Sequence, residues 1–202
     1  MKIRDDKEAK HILVNLITML KNDGLSESEV LTLKDMANRF VRLVRVDGGF
    51  REREPLRSKG HIREIVIRLE ELYDISVDNP DEIIESLLNR GVIEERERDE
   101  KESILVSAEE FKEKKKIDKG YYITQKGLNI LNEYGYEIIL IEYAEAYNVV
   151  EYGRSTTKGS ITYEYQALTK KGFNNLLDDL KSDDYEVEAN WEKKVISVYD
   201  DF

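Results

Sequence analysis

Asn79-Pro80-Asp81-Glu82-Ile83-Ile84-Glu85-Ser86-Leu87-Leu88-Asn89-Arg90-Gly91-Val92-Ile93-Glu94-Glu95-Arg96 is the stretch on which the fold turns. Asn79 is an N-cap residue, and Pro80 takes the first helical position, where its missing N–H costs nothing. Glu82, three residues after the cap, completes a capping box. Ile83, Ile84, Leu87 and Leu88 line one helical face, and Gly91 supplies the left-handed residue that ends such a helix. Val92-Ile93 then opens a strand. The spacing predicts a short amphipathic helix, a reversal and a strand.

Toward the C-terminus, residues 94–116 are almost all charged apart from Ile104-Leu105-Val106 and Phe111. They read as a hairpin through about Val106 and a short charged helix over 108–116. Tyr121-Tyr122-Ile123 reads as a strand, and Thr124 caps a helix through about Tyr134. Tyr136, Tyr143 and Tyr147, at spacings of seven and four, fit one helical face packing on a partner. Ile161–Tyr165 alternates as a strand, Thr169 caps a helix through about Leu180, and Tyr185–Trp191 with Val195–Tyr199 forms a hairpin across Glu192-Lys193-Lys194. The run from Ile123 to Leu131 and the run from Leu168 to Leu176 share Thr, Lys, Gly, Asn and Leu at matching places, 45 residues apart. Two readings of this echo stand: a duplicated strand-to-helix unit, or one capping physics selecting the same residues twice.

Toward the N-terminus, Leu13, Leu16, Ile17 and Leu20 predict an amphipathic helix over about 6–22, ended at Asn22-Asp23-Gly24. Ser26 or Ser28 caps the next helix, which runs to about Arg45 and buries Leu33, Ala37, Phe40 and Val44. Asp47-Gly48-Gly49 forces a turn, and a polar, basic connection over 47–60 leads into a third helix. Ile62, Ile65, Val66, Leu69, Leu72 and Tyr73 form that helix's stripe. The fold class is α+β: a helical N-terminal part leading into the 80–134 segment, then a smaller mixed α/β part. The expected division is 1–134 and 135–202.

The chain has no cysteine, so neither a disulfide framework nor a thiolate metal site is expected. It opens on charge rather than on a basic start followed by an apolar core, and its longest apolar run, Ile138–Ile141, falls far short of the about 20 residues of a membrane helix. A cytoplasmic protein without membrane contact is expected. No phosphate loop, His-Glu-x-x-His or Gly-x-Ser-x-Gly occurs, and His11 and His61 lack partners at metal spacing. Neither enzyme chemistry nor a cofactor or metal is expected. Net charge is −11, unevenly spread: residues 1–68 carry 15 Lys/Arg against 11 Asp/Glu, so the acidic excess lies beyond them.

The run from Pro80 to Arg96, followed by Gly120-Tyr121-Tyr122-Ile123-Thr124-Gln125-Lys126-Gly127-Leu128, resembles winged-helix transcription regulators of the MarR and PadR types. In these a recognition helix ends in a leucine pair and Arg-Gly, a charged wing follows, and a Thr-capped helix comes next. The resemblance covers roughly residues 60–134. It implies a winged-helix unit, with a second such unit over 135–202 as one reading of the echo, and a DNA-binding, regulatory function. The segment's own recognition helix departs from the pattern: it shows Asp81, Glu82, Glu85 and Ser86, with Arg90 its one cation. The wing between Ile93 and Tyr121 is also longer than usual. Phosphate contacts are therefore expected from Arg39, Arg42, Arg45, Arg51, Arg53, Arg57, Lys59 and Arg63, with Arg90 on the recognition helix. Ser58-Lys59-Gly60-His61 would add a helix N-terminus that favours an anion. The expected partners are DNA and a second copy of the chain. The alternative is a protein-interaction subunit without direct DNA contact, like the acidic tandem winged-helix subunits of chromosome-organising SMC complexes. In that case the arginines pair with carboxylates of this chain or of its partner.

Overall fold

The computed structural model describes residues 24–44, 56–99, 104–183 and 185–199. The helix expected over 6–22 and the turn at 47–49 lie outside them. The protein is α+β, and its described residues form two compact units, 24–36 with 56–134 and 37–44 with 135–199.

In the first unit, Ser26 opens α1 (Glu27–Ala37) with a true capping box. Its hydroxyl accepts from the Glu29 N–H at 3.3 Å, while its own N–H donates to the Glu29 carboxylate at 2.6 Å. The helix stops at Ala37, eight residues short of the expected end. Arg39–Val44 is instead strand β1, antiparallel to β7 (Arg154–Leu168) of the second unit. Phe40 and Val44 sit four apart and so imitate a helical stripe. The run is nevertheless rich in aromatic and β-branched residues, and pairing with β7 decides its state. Asn38 marks the break, its side-chain oxygen accepting from the Ala167 N–H at 2.8 Å.

After β2 (Leu56–Arg57) come α2 (Lys59–Tyr73) and α3 (Pro80–Asn89). Ile62, Ile65, Val66 and Leu69 bury the α2 stripe, but Leu72 is 52% exposed: the helix turns it outward before Asp74 ends it in the left-handed region. The Asn79 cap accepts from the Asp81 N–H as expected, and Glu82 takes the Asn79 side-chain amide rather than its backbone N–H. Gly91 has φ +65°, and Val92 and Ile93 are fully buried behind it. β3 (Ile93–Glu97) does not fold back onto the segment near Val106. Its partner is β5 (Lys119–Ile123), while β4 (Ile104–Leu105) runs parallel to β2, giving the sheet order β3-β5-β2-β4. A hairpin through 106 would expose Ile104 and Leu105, whereas β2 offers them a half-buried place. The expected helix over 108–116 is the single turn and a half of α4 (Ala108–Lys112), and α5 (Gln125–Glu133) closes the unit.

The second unit is a five-stranded sheet, order β1-β7-β6-β9-β8. β6 (Glu137–Glu151) and β7 pair over 15 residues across the turn at Tyr152-Gly153. β9 (Val195–Tyr199) lies parallel to β6, and β8 (Glu186–Asn190) is antiparallel to β9. The helical face assigned to Tyr136, Tyr143 and Tyr147 therefore does not exist. Tyr143 and Tyr147 share strand β6, and their spacing of four suits a period of two as well as a helix. α6 (Lys170–Ser182) covers the sheet through Phe173 and Leu180, packed with Ile139, Ile141, Ile196 and Val198. Trp191 meets Phe173 edge-on at 4.9 Å.

Candidate functional site at the first turn of α2

A helix that begins with Lys59 rather than an acid has unpaired N–H groups and a partial positive charge at its start. Ser58 satisfies part of this demand, its hydroxyl accepting from the His61 N–H at 3.0 Å. The rest comes from Glu110, on α4. The Ser58 hydroxyl donates to the Glu110 carboxylate, which also accepts from the Ser107 N–H at 2.9 Å and from the Gly60 backbone. Burial pushes the Glu110 carboxyl up, but the hydroxyl and N–H groups aimed at it outweigh that and hold it below its ordinary value. A Cβ at position 60 would lie 2.5 Å from the Glu110 carboxyl carbon, so a larger residue there would displace the carboxylate. The exchange is reciprocal. Glu64 of α2 accepts from the Ala108 N–H at 2.8 Å, so each helix places a carboxylate on the other's start. The anion expected at Ser58–His61 is thus supplied from within the chain.

One turn further, Asp81 at the start of α3 accepts from Arg63 Nε at 2.8 Å and Nη2 at 2.6 Å, a two-pronged pair, with Lys59 Nζ at 3.2 Å. The Arg63 guanidinium, helped by Lys59, holds the Asp81 carboxyl down at about 2 against some desolvation. Behind this pair Tyr121 of β5 is paired with Glu95 of β3 and Arg57 of β2. Burial and the Glu95 carboxylate push its hydroxyl up to about 12. His61 is pushed below its ordinary value by burial and then by the Arg57 charge. Lys59, His61, Arg63, Glu64, Asp81 and Glu110 form one cluster around the first turns of α2.

Of the nine residues expected to reach phosphate, the structure gathers only Lys59 and Arg63, and both face Asp81. Arg57 is 1% exposed on β2, so its charge does not face the surface. Arg90 reaches the Ser86 hydroxyl and lies 3.7 Å from the Glu29 carboxylate. Arg39 and Arg42 lie on β1 opposite Tyr165 and Thr162, so the expected helical row Arg39-Arg42-Arg45 is absent. Arg45, Arg51 and Arg53 lie outside the described residues. The exposed residues of α3 are Glu82, Glu85 and Asn89, and β3 exposes Glu94, Glu95, Arg96 and Glu97, of which Glu95 and Glu97 pair with Lys119 of β5.

Glu110 and Glu64 had no functional reading in the sequence. The signal that could have found Glu110 is the capping-box spacing Ser107-x-x-Glu110, which was not read and which forms. The reach of the same carboxylate to Ser58, 52 residues away, depends on tertiary structure alone. Among the described residues no helix is long and apolar enough to cross a membrane. The chain matches no protein-family model, no curated protein and no solved structure.

Proposed function

We propose that the first unit is a winged-helix module that binds a protein through an acidic face on α3 and β3. Its element order supports the winged-helix reading: helix, strand, helix, helix, strand, then a long insertion, strand and helix. So does the sheet, in which β5 lies between β3 and β2. One observation carries the protein-binding reading. The helix that would enter a major groove presents Glu82 and Glu85, and the cations beside it are occupied by Asp81 and Glu29. Phosphates repel such a surface, whereas a basic protein surface complements it. With Glu85 replaced by a photo-crosslinking amino acid, irradiation in cells yields protein adducts that Glu82→Lys suppresses. Nucleic-acid adducts from that position contradict the reading.

DNA-binding regulation is the second reading, favoured by the basic excess of residues 1–68. It places the contact on the 39–54 tract instead of α3. It requires duplex binding that weakens steeply with salt, with a slope flattened by Arg51→Ala and Arg53→Ala. Salt-independent or absent binding removes it.

A further inference from the structure

An isolated five-residue helix does not persist in water. Yet α4 is fixed at its start from several sides: its capping box, the Ser58–Glu110 hydrogen bond, Glu64 on the Ala108 N–H, and the Ser58 N–H donating to the Leu105 carbonyl at 2.8 Å. What this anchoring holds in place is Phe111, 75% exposed, followed by the exposed Lys112, Lys114, Lys115 and Lys116. An aromatic side chain kept in solvent on an immobilised base is the form a binding anchor takes, because little freedom remains to be lost on association. Residues 111–116 hold four lysines against Glu113, in a chain of net charge −11.

We propose that this pedestal docks on the acidic α3–β3 face of a second copy of the chain. The charges are complementary: Lys112, Lys114 and Lys115 on one copy meet Glu82 and Glu85, both exposed on α3, on the other. Two copies related by a two-fold axis make the contact twice, which closes the assembly as a dimer. Nucleic acid is the poorer occupant, because the pedestal offers one ring for stacking rather than the succession of rings that bases stack on. The proposal rests on reading α3 as a protein-binding face and goes further by naming the partner.

Sedimentation velocity of the full chain over a range of protein and salt concentrations tests it. The wild type forms a reversible dimer that weakens as salt rises, and Phe111→Ser weakens it by about tenfold or more. Lys112→Glu/Lys114→Glu/Lys115→Glu is monomeric alone, as is Glu82→Lys/Glu85→Lys, and an equimolar mixture of the two restores the dimer because both contacts regain opposite charges. Glu85→Lys alone, which spares the Asn79–Glu82 hydrogen bond, gives a partial effect and guards against misfolding. A wild type that stays monomeric overturns the proposal, as does a dimer indifferent to these substitutions or lysines that prove to bind duplex DNA. If the chain is monomeric while position 85 still cross-links to another protein, only this proposal falls and the reading of α3 stands.

Discussion

Alanine at position 127 and alanine at position 172 move stability in opposite directions, although the two glycines occupy matching places in echoed sequences. Each follows a threonine cap, Thr124 or Thr169, whose hydroxyl accepts from the glycine N–H at 3.2 or 3.1 Å. Neither has a positive φ, so backbone conformation excludes alanine at neither site. In open space, Gly→Ala in a helix gains about 0.5–1 kcal/mol by restricting the unfolded chain and improving helix propensity. Position 172 has that space: its nearest neighbour would be Thr169 Oγ1 at 3.4 Å. Position 127 does not. A Cβ there meets the Val92 carbonyl oxygen and lies 2.7 Å from Ile123 Cγ2, and the carbonyl belongs to the reversal that starts β3. Overpacking against backbone costs about 1–3 kcal/mol, more than the helical gain. At roughly 4–8 °C per kcal/mol for a domain of about 100 residues, Gly172→Ala raises the second unit's midpoint by a few degrees and Gly127→Ala lowers the first unit's. Trp191, the chain's only tryptophan, packs on Phe173 in the second unit, so its fluorescence follows Gly172→Ala. Exchange of the α3 and α5 amides follows Gly127→Ala. A neutral or stabilising Gly127→Ala refutes the close approach of α5 to Val92.

Three further outcomes follow from the first unit. Leu87→Ala removes a fully buried side chain from α3 and costs about 2–5 kcal/mol in urea denaturation, while Leu72→Ala, at a half-exposed site, changes stability by less than about 0.5 kcal/mol. Thr124→Ala removes both the cap to Gly127 and the donation to the Gly91 carbonyl at 2.8 Å, and lowers stability by about 1–2 kcal/mol. Glu110 is held below its ordinary value in the folded chain, so its contribution is full above the unfolded carboxyl value of about 4.3 and is lost as pH falls through the lower folded value. Amides of 104–112 therefore lose exchange protection as the solution is acidified, relative to those of α3, and Glu110→Gln loses that protection already at neutral pH.

The elements with local causes were legible from the sequence: the Asn79, Thr124 and Thr169 caps, the Gly91 reversal, and the alternation in 161–165. Phe40, Val44, Tyr143 and Tyr147 misled because a spacing of four satisfies a helix and a strand equally, and only the partner strand decides between them. The partners of β3 and β4 were not legible either, since pairing across an insertion depends on which apolar edge is free. Both copies of the echo form a strand leading into a Thr-capped helix. Thr124 and Thr169 adopt nearly the same φ and ψ, whereas Gly127 is forced by a neighbouring carbonyl and Gly172 is not. For the site, the clustering of charge was visible but its resolution into pairs was not. Lys59 and Arg63 meet Asp81 from 22 and 18 residues away, through a helix–helix contact that no spacing rule encodes.

The proposed protein-binding reading rests on the pairing of Lys59 and Arg63 with Asp81, and NMR titration of the aspartate side-chain carboxyls in the full chain measures that pairing directly. Asp81 titrates at about 2, well below the ordinary carboxyl value of about 3.9, and returns toward it in Arg63→Ala. An Asp81 that titrates at the ordinary value in the wild type would leave Lys59 and Arg63 open to phosphate and contradict the account.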